Sequence, residues 1–170
     1  MNNFPHRHHK HGTSVESAGL DAFELGLLAV ARHFIVSFAA PETQSWTVAF
    51  KIASERWGIS EGARAAATVL VVIEEMRLAR KSVFRFSDPN CPNCRQSLTP
   101  NERHLMLILH AIRRGRVGDA QTEAMLLCEG EDAKGLLRAA WGLAGLFPCE
   151  KSAASPRQTE AVAPNGWHLH

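Results

Sequence analysis

The chain has 170 residues, 45% of them hydrophobic, which suits one globular domain with its own core. Its formal net charge of +2 excludes a protein held to nucleic acid or to an anionic membrane by overall charge alone. Four cysteines in a sequence whose first residues lack the apolar stretch of a signal peptide indicate a cytoplasmic protein with free thiols.

The two ends of the chain differ in composition from the rest. Residues 1–17 are polar and histidine-rich, and residues 150–170 are rich in Ala, Ser and Pro. Neither has the apolar pattern that forms a core, so we predict a disordered arm and tail around one domain at 18–149. A histidine tract either binds metal weakly or is simply solvated, and the second interpretation is favoured here. The histidines of the arm are His6, His8, His9 and His11.

The first predicted helix covers 20–38, where apolar residues recur at helical spacing. They are Leu20, Phe23, Leu27, Val30, Phe34 and Phe38. Much of its remaining surface is apolar too, so this helix is either central in the domain or buries a second face in a partner, including a second copy. Arg32 and His33 interrupt the run, which is too short and too polar for a membrane span.

Two more helices are predicted, over 41–57 and 61–82. Pro41 suits the first position of the second helix, Gly58 its end, and Ser60 the cap of the third. Aromatic and small residues spaced for one helical face predict a core-facing stripe on the second helix. This stripe is Trp46, Phe50, Ala53 and Trp57.

A capping box from Thr99 to Glu102 begins a fourth helix that runs to about residue 114. A glycine-containing connection leads to a fifth helix over 119–128, and a sixth ends near 147. The predicted inner faces are Leu105, Ile108, Leu109 and Ile112 on the fourth helix, and Ala120, Ala124, Leu127 and Cys128 on the fifth. The sequence therefore predicts an all-α fold, a compact bundle of about six helices.

A Cys-Pro-Asn-Cys motif lies in a predicted loop, residues 88–97, between the third and fourth helices. Two thiolates separated by two residues can both face one zinc ion, and a structural zinc needs four ligands. If the fifth helix returns antiparallel to the fourth, Cys128 comes back near the level of His104. The predicted zinc ligands are Cys91, Cys94, His104 and Cys128, with Cys149 and His110 as alternatives.

Catalytic patterns are missing from the sequence. It contains no HExxH or GxSxG motif, and no Gly-rich phosphate loop follows a predicted strand. The adjacent Glu74 and Glu75 point in different directions on a helix and cannot act as a facing pair. We therefore predict a small regulatory or adaptor protein that binds an unidentified protein partner and is not an enzyme. The cysteine pair leaves a thiol redox sensor open as a third interpretation.

Residues 98–103, Leu-Thr-Pro-Asn-Glu-Arg, resemble the opening of the LuxR-type helix-turn-helix. Where that family's recognition helix carries base-reading residues, this chain has Met125 to Cys128, so DNA binding is not carried over. Nucleic acid is still the second interpretation, because 77–116 holds nine basic and two acidic residues. The candidate phosphate contacts are Arg77, Arg80, Lys81, Arg85, Arg95, Arg113, Arg114 and Arg116.

Overall fold

The computed structural model describes residues 13–149, and six α-helices build most of that part of the chain. They are α1 (Ala22–Ala39), α2 (Trp46–Trp57), α3 (Ile59–Ala79), α4 (Pro100–Arg113), α5 (Val117–Leu127) and α6 (Lys134–Leu146). The predicted all-α class and the six helices are confirmed. Most of the predicted arm and the tail, residues 1–12 and 150–170, lie outside the described residues.

A two-stranded antiparallel pair joins the start of the described chain to the approach to α4. Strand β1 (Thr13–Ser14) pairs with β2 (Ser97–Leu98), and the Val15 N–H donates to the Gln96 carbonyl at 3.0 Å. The last residues of the predicted arm thus fold onto the domain. Strands of two residues have no periodicity, so the sequence offered no signal for this pairing.

Helix α1 lies at the centre of the bundle and contacts α2, α3 and α4. Leu27, Val30 and Phe34 on its inner side are fully or almost fully buried. The helix is long and apolar enough to cross a membrane, with a mean hydropathy of 1.5, but 56% of that window is buried inside the bundle. The bundle itself covers this apolar surface, so the structure gives no support to an oligomer formed through residues 20–38. That oligomer stays a prediction.

Helices α1 and α4 run in opposite directions and are joined at two places by buried ion pairs. Glu24, in the first turn of α1, accepts a hydrogen bond from Arg113 near the end of α4 at 2.7 Å. Glu102, in the first turn of α4, accepts one from Arg32 of α1 at 2.7 Å. Each glutamate also completes the capping box of its own helix, which confirms the predicted box at the start of α4.

The connection between α2 and α3 is tighter than predicted. Gly58, with a φ of 81°, ends α2 and directly precedes α3, so Ser60 lies inside α3 and does not cap it. Glycine adopts this positive φ readily, so the chain turns at Gly58 and α3 begins at Ile59 without a side-chain cap. The stripe on α2 is also only partly in the core, because Ala53 is fully buried but Trp46 is half exposed.

Gly62 sets the close approach of α3 to α2. A Cβ atom at this position would lie 2.5 Å from the Ala53 carbonyl oxygen and 2.7 Å from the Ser54 Cα, both of them backbone atoms. We expect Gly62→Ala to lower the free energy of unfolding by about 1–3 kcal/mol, because the helices must separate to admit the methyl group. Urea denaturation followed by circular dichroism measures this change.

Gly142→Ala in α6 is the matched control for that substitution. A Cβ at Gly142 would meet nothing within 4 Å, so the same change should raise the free energy of unfolding by roughly 0.5–1 kcal/mol through helix propensity alone. Equal stabilisation of both variants would contradict the close packing at Gly62.

Candidate functional site

Residues 80–99, here called the connecting segment, join α3 to α4 and carry the two features that a ligand could use. The segment is folded back on itself by hydrogen bonds across its base. The Ser87 hydroxyl donates to the Ser97 carbonyl at 2.8 Å, and the Thr99 hydroxyl donates to the Arg85 carbonyl at 2.7 Å. Side-chain hydroxyls therefore hold the middle of the segment as a closed loop.

A buried ion pair anchors this loop to the core. Arg32 and Glu102 are 4% and 1% exposed and form two hydrogen bonds, at 2.7 and 3.1 Å. The same guanidinium donates to the carbonyls of Arg95 and Ser97 at 2.8 and 2.7 Å, while Glu102 accepts the Ser87 N–H at 3.1 Å. One arginine from the central helix thus positions the whole loop.

Cys91 and Cys94 lie in a turn over residues 91–96, which we call the cysteine turn. Asp88 starts it by accepting the Asn90 N–H on its side chain at 2.9 Å and the Cys91 N–H on its carbonyl at 3.3 Å. Cys94 then begins a 3-10 turn, and its N–H donates to the Cys91 sulfur at 3.3 Å. Both thiols are free and partly exposed. A tight turn with an N–H···S bond is compatible with metal binding by both sulfurs, which stays a prediction.

The two thiols shift each other's acidity. A hydrogen bond from the Cys94 thiol, helped by the Cys94 N–H, lowers the pKa of Cys91. The same thiol–thiol hydrogen bond, together with burial, raises the pKa of Cys94. The pair therefore releases its first proton more readily than its second, and the thiolate, which is the reactive and metal-binding form, falls to Cys91.

The other two predicted ligands are not brought to the cysteine turn. As the sequence predicted, α5 folds back along α4, but there the His104 Nδ1 lies 2.6 Å from a Glu123 carboxylate oxygen. Cys128 is fully buried, and its burial raises the pKa of its thiol. Within residues 13–149, no three His, Cys, Asp or Glu side chains form a group that could hold a metal ion. The proposed four-ligand set is therefore not assembled in this structure.

The alternative ligands Cys149 and His110 are also engaged elsewhere. Cys149 is buried, and the His110 ring nitrogen Nδ1 lies 3.0 Å from Glu24.

The basic stretch is largely neutralised by the acidic second half of the chain and by the start of α1. Five of its eight candidate phosphate contacts form ion pairs, and Arg113 is only 5% exposed. These pairs are Arg80 with Glu129, Lys81 with Glu131, Arg113 and Arg114 with Asp21 and Glu24, and Arg116 with Asp119. Arg77, Arg85 and Arg95 form no ion pair with the described residues, so few charges are left for phosphates.

A groove of about 280 Å³ opens where the first part of the connecting segment crosses the ends of α1 and α3. It is lined by Ile35, Phe38, Ala39, Met76, Arg77, Arg80, Ser82, Val83, Phe84 and Phe86. The Arg77 guanidinium stacks 3.8 Å from the Phe38 ring centre, and Val83 at the rim is 84% exposed. Helical periodicity did not predict this groove, although three phenylalanines and an arginine pair near one helix end were a usable signal.

The groove and the cysteine turn belong to one segment, and the Arg32–Glu102 pair holds the loop that carries the turn. No protein-family model, no curated protein and no solved structure matches this chain.

Proposed function

We propose that this chain is a small regulatory or adaptor protein that acts by binding a protein partner, and that zinc at Cys91 and Cys94 has a structural role in it. The observation that carries the proposal is the apolar groove at the end of α3, flanked by Arg77. Exposed apolar surface next to a groove is typical of interaction sites. Val83, which lines the groove and is itself exposed, extends this surface.

The dimensions of the groove favour a peptide segment over a small molecule. Small-molecule sites usually have volumes of roughly 300–1,000 Å³ and enclose most of the ligand, whereas this groove lies at the lower limit of that range and is open. It has room for one or two apolar side chains of a partner. Arg77, stacked on Phe38 and in no ion pair with the described residues, favours a carboxylate beside those side chains. The proposed occupant is therefore an apolar segment with flanking acidic residues.

Substitution of Val83 by aspartate tests this proposal directly. The probe is a set of short fluorescein-labelled peptides with Leu or Phe anchors flanked by glutamates, with lysine-flanked peptides as the charge-reversed set. We expect the acidic set to bind with micromolar affinity, about −8 kcal/mol. Val83→Asp and Arg77→Glu should each weaken binding roughly tenfold or more, because they place negative charge beside the anchor or its carboxylates. Fluorescence anisotropy measures the affinities.

Ile59→Asp is the matched control, because Ile59 is 86% exposed and begins α3 at its opposite end. Its binding should equal that of the unmodified protein. Equal weakening by Val83→Asp and Ile59→Asp, or no binding to any acidic peptide, would contradict the groove as the interaction site.

The connecting segment links the proposed zinc site to the groove. The cysteine turn and the groove wall lie on this one segment, so a metal ion held by Cys91 and Cys94 would limit the motion of both. We expect about one zinc per chain in protein purified without a tag, and loss of that zinc in Cys91→Ser together with a lower midpoint of thermal unfolding. Elemental analysis and calorimetry measure the two quantities.

Cys149→Ser changes a buried cysteine that the sequence offered only as an alternative ligand, and it should leave the zinc content unchanged. Cys128→Ser distinguishes the cysteine pair alone from the four-ligand set, since only the latter loses its metal with this change. Metal-free protein with a reversible Cys91–Cys94 disulfide would instead favour the thiol redox sensor, the second candidate, which the tight turn joining Cys91 to Cys94 supports.

A further inference from the structure

Arg80 lines the groove and is almost completely buried. Its side chain is 5% exposed, and its guanidinium carbon lies 5.8 Å from the centre of the Phe84 ring, which also lines the groove. Its Nη1 group donates to the Leu127 carbonyl. Its Nη2 group donates to the Ser82 hydroxyl at 2.9 Å and to a Glu129 carboxylate oxygen at 3.2 Å. These contacts fix the guanidinium beside the groove.

The third nitrogen of this side chain is buried without a partner, because the Nε–H of Arg80 has no acceptor among residues 13–149. The buried Arg32 and Arg113 both use this donor. The Nε of Arg32 donates to Glu102 at 2.7 Å, and the Nε of Arg113 donates to the Phe147 carbonyl at 2.9 Å. A buried N–H that has lost water and gained no acceptor costs free energy, so an acceptor supplied by a ligand would be stabilised there.

A carboxylate is the acceptor that suits this position. Arg77 and Arg80 are one turn apart on α3 and both line the groove, so one anion can lie between their guanidinium groups. Arg77 forms no ion pair with the described residues, and its guanidinium is held on the Phe38 ring at 3.8 Å. Hydrogen bonds between a guanidinium and a carboxylate are about twice as strong as those between neutral groups.

A chain end brings such a carboxylate into the groove more readily than a glutamate does. In a C-terminal residue the carboxylate and the side chain share one Cα atom, so an apolar side chain and its carboxylate enter the groove together. A glutamate beside an apolar anchor carries its carboxylate on a neighbouring residue, where the exposed Arg77 is in reach but the buried Arg80 is not. Capture of a terminal carboxylate is a common mode of peptide recognition.

We infer that the groove binds the free C-terminus of the partner. The last residue is apolar and packs against the phenylalanines of the groove, and its carboxylate accepts the Nε–H of Arg80 and faces Arg77. This inference rests on the proposed peptide binding at the groove and names the part of the partner that is recognised.

Three forms of one labelled peptide test the inference with the full-length protein. The peptide is acidic and ends in Leu-Phe. It is made with a free C-terminus, with a C-terminal amide, and with a free C-terminus after two added glycines, which keeps the charge but moves the carboxylate. We expect the first form to bind roughly tenfold to a hundredfold more tightly than the other two, the usual gain from a hydrogen-bonded charge. Fluorescence anisotropy measures the three affinities.

Arg80→Lys shows whether Arg80 causes the preference. Lysine keeps the charge but has no Nε–H, so the preference for the free acid over the amide should fall roughly tenfold. Arg64→Lys is the matched control, because Arg64 is half exposed on the same helix and pairs with Glu61. Its preference should equal that of the unmodified protein.

NMR of the unmodified protein gives a second readout that does not depend on how well Arg80→Lys folds. With ¹⁵N-labelled arginine, the Nε–H signal of Arg80 should move downfield when the free-acid peptide is added, because the proton enters a hydrogen bond to a carboxylate. The amide should leave this signal in place. An Arg80 signal that does not move at saturating free-acid peptide would overturn the inference.

The outcomes separate this inference from the proposed groove. Equal binding of the three peptide forms, still weakened by Val83→Asp, overturns the recognition of a chain end and leaves the groove as the interaction site. A preference that survives in Arg80→Lys also overturns the inference, since Arg77 alone then holds the carboxylate. If no form of the peptide binds, both proposals are overturned.

Discussion

Glu102→Gln is expected to lower the free energy of unfolding by about 3–5 kcal/mol, because it leaves Arg32 buried without a carboxylate. Arg32 is 4% exposed, so water cannot replace the lost partner without opening the core. Typical domains are stable by about 5–15 kcal/mol, so this one substitution removes a large share. Urea denaturation at neutral pH measures the change. Faster amide exchange over residues 87–97 should accompany it, since Glu102 also accepts the Ser87 N–H.

Two further variants test whether the buried, unpaired charge of Arg32 causes the loss of stability in Glu102→Gln. Glu61→Gln removes the carboxylate of an exposed pair with Arg64 and should change stability by no more than about 0.5 kcal/mol. The double variant Arg32→Met with Glu102→Leu removes both charges. It should recover only part of the lost free energy of unfolding, because the carbonyls of Arg95 and Ser97 would no longer receive hydrogen bonds from Arg32. A fully stable double variant would contradict the anchoring of the loop by Arg32.

Glu24→Gln should lower the free energy of unfolding by about 2–4 kcal/mol at neutral pH. Glu24 is fully buried and accepts hydrogen bonds from Arg113, Arg114 and His110. The effect should be smaller than that of Glu102→Gln, because Asp21 still pairs with both arginines. Asp119→Asn, in an exposed pair with Arg116, should be nearly neutral and is the control.

Glu24→Gln should also change how the free energy of unfolding depends on pH. Burial by itself raises the pKa of Glu24, but the hydrogen bonds from Arg114 and His110 outweigh it and lower the pKa below its ordinary 4.5. A carboxyl with a depressed pKa in the folded state stabilises the fold fully above its unfolded-state pKa and loses that contribution as pH falls through the folded-state pKa. The stability gap between the unmodified protein and Glu24→Gln should therefore shrink below about pH 4.5. An undiminished gap at pH 3 would contradict the assignment.

The helices illustrate what local pattern can predict. The capping box at Thr99 and the four apolar positions of α4 lie within a few residues of one another, and the structure buries all four. The same holds for the inner face of α5. Ser60 was the exception, since a serine before a helical run can cap it, but a glycine two residues earlier already turns the chain.

The predicted metal site shows what local sequence patterns do not predict. Helix rise and an antiparallel hairpin correctly predicted that α5 folds back along α4, but His104 lies beside Glu123, five residues before the predicted partner Cys128. Which neighbour its ring would face did not follow, because that depends on the rotation of both helices about their axes. In the structure, Cys128 is buried in the core and the His104 ring lies beside Glu123. The hydrogen bond from the Cys94 N–H to the Cys91 sulfur needed only the turn, so its residues could be named from the sequence.

By itself the sequence determined the helical class, most of the helix positions and the paired thiols, since each depends on residues close together in the chain. Only the tertiary structure decided that Arg32 pairs with Glu102, 70 positions away, and that Arg113 pairs with Glu24, 89 positions away. It likewise decided that most of the basic stretch is neutralised and that α1, α3 and the connecting segment enclose a groove. Charges and apolar residues so far apart in sequence find their partners only through packing of the helices, which no local periodicity encodes.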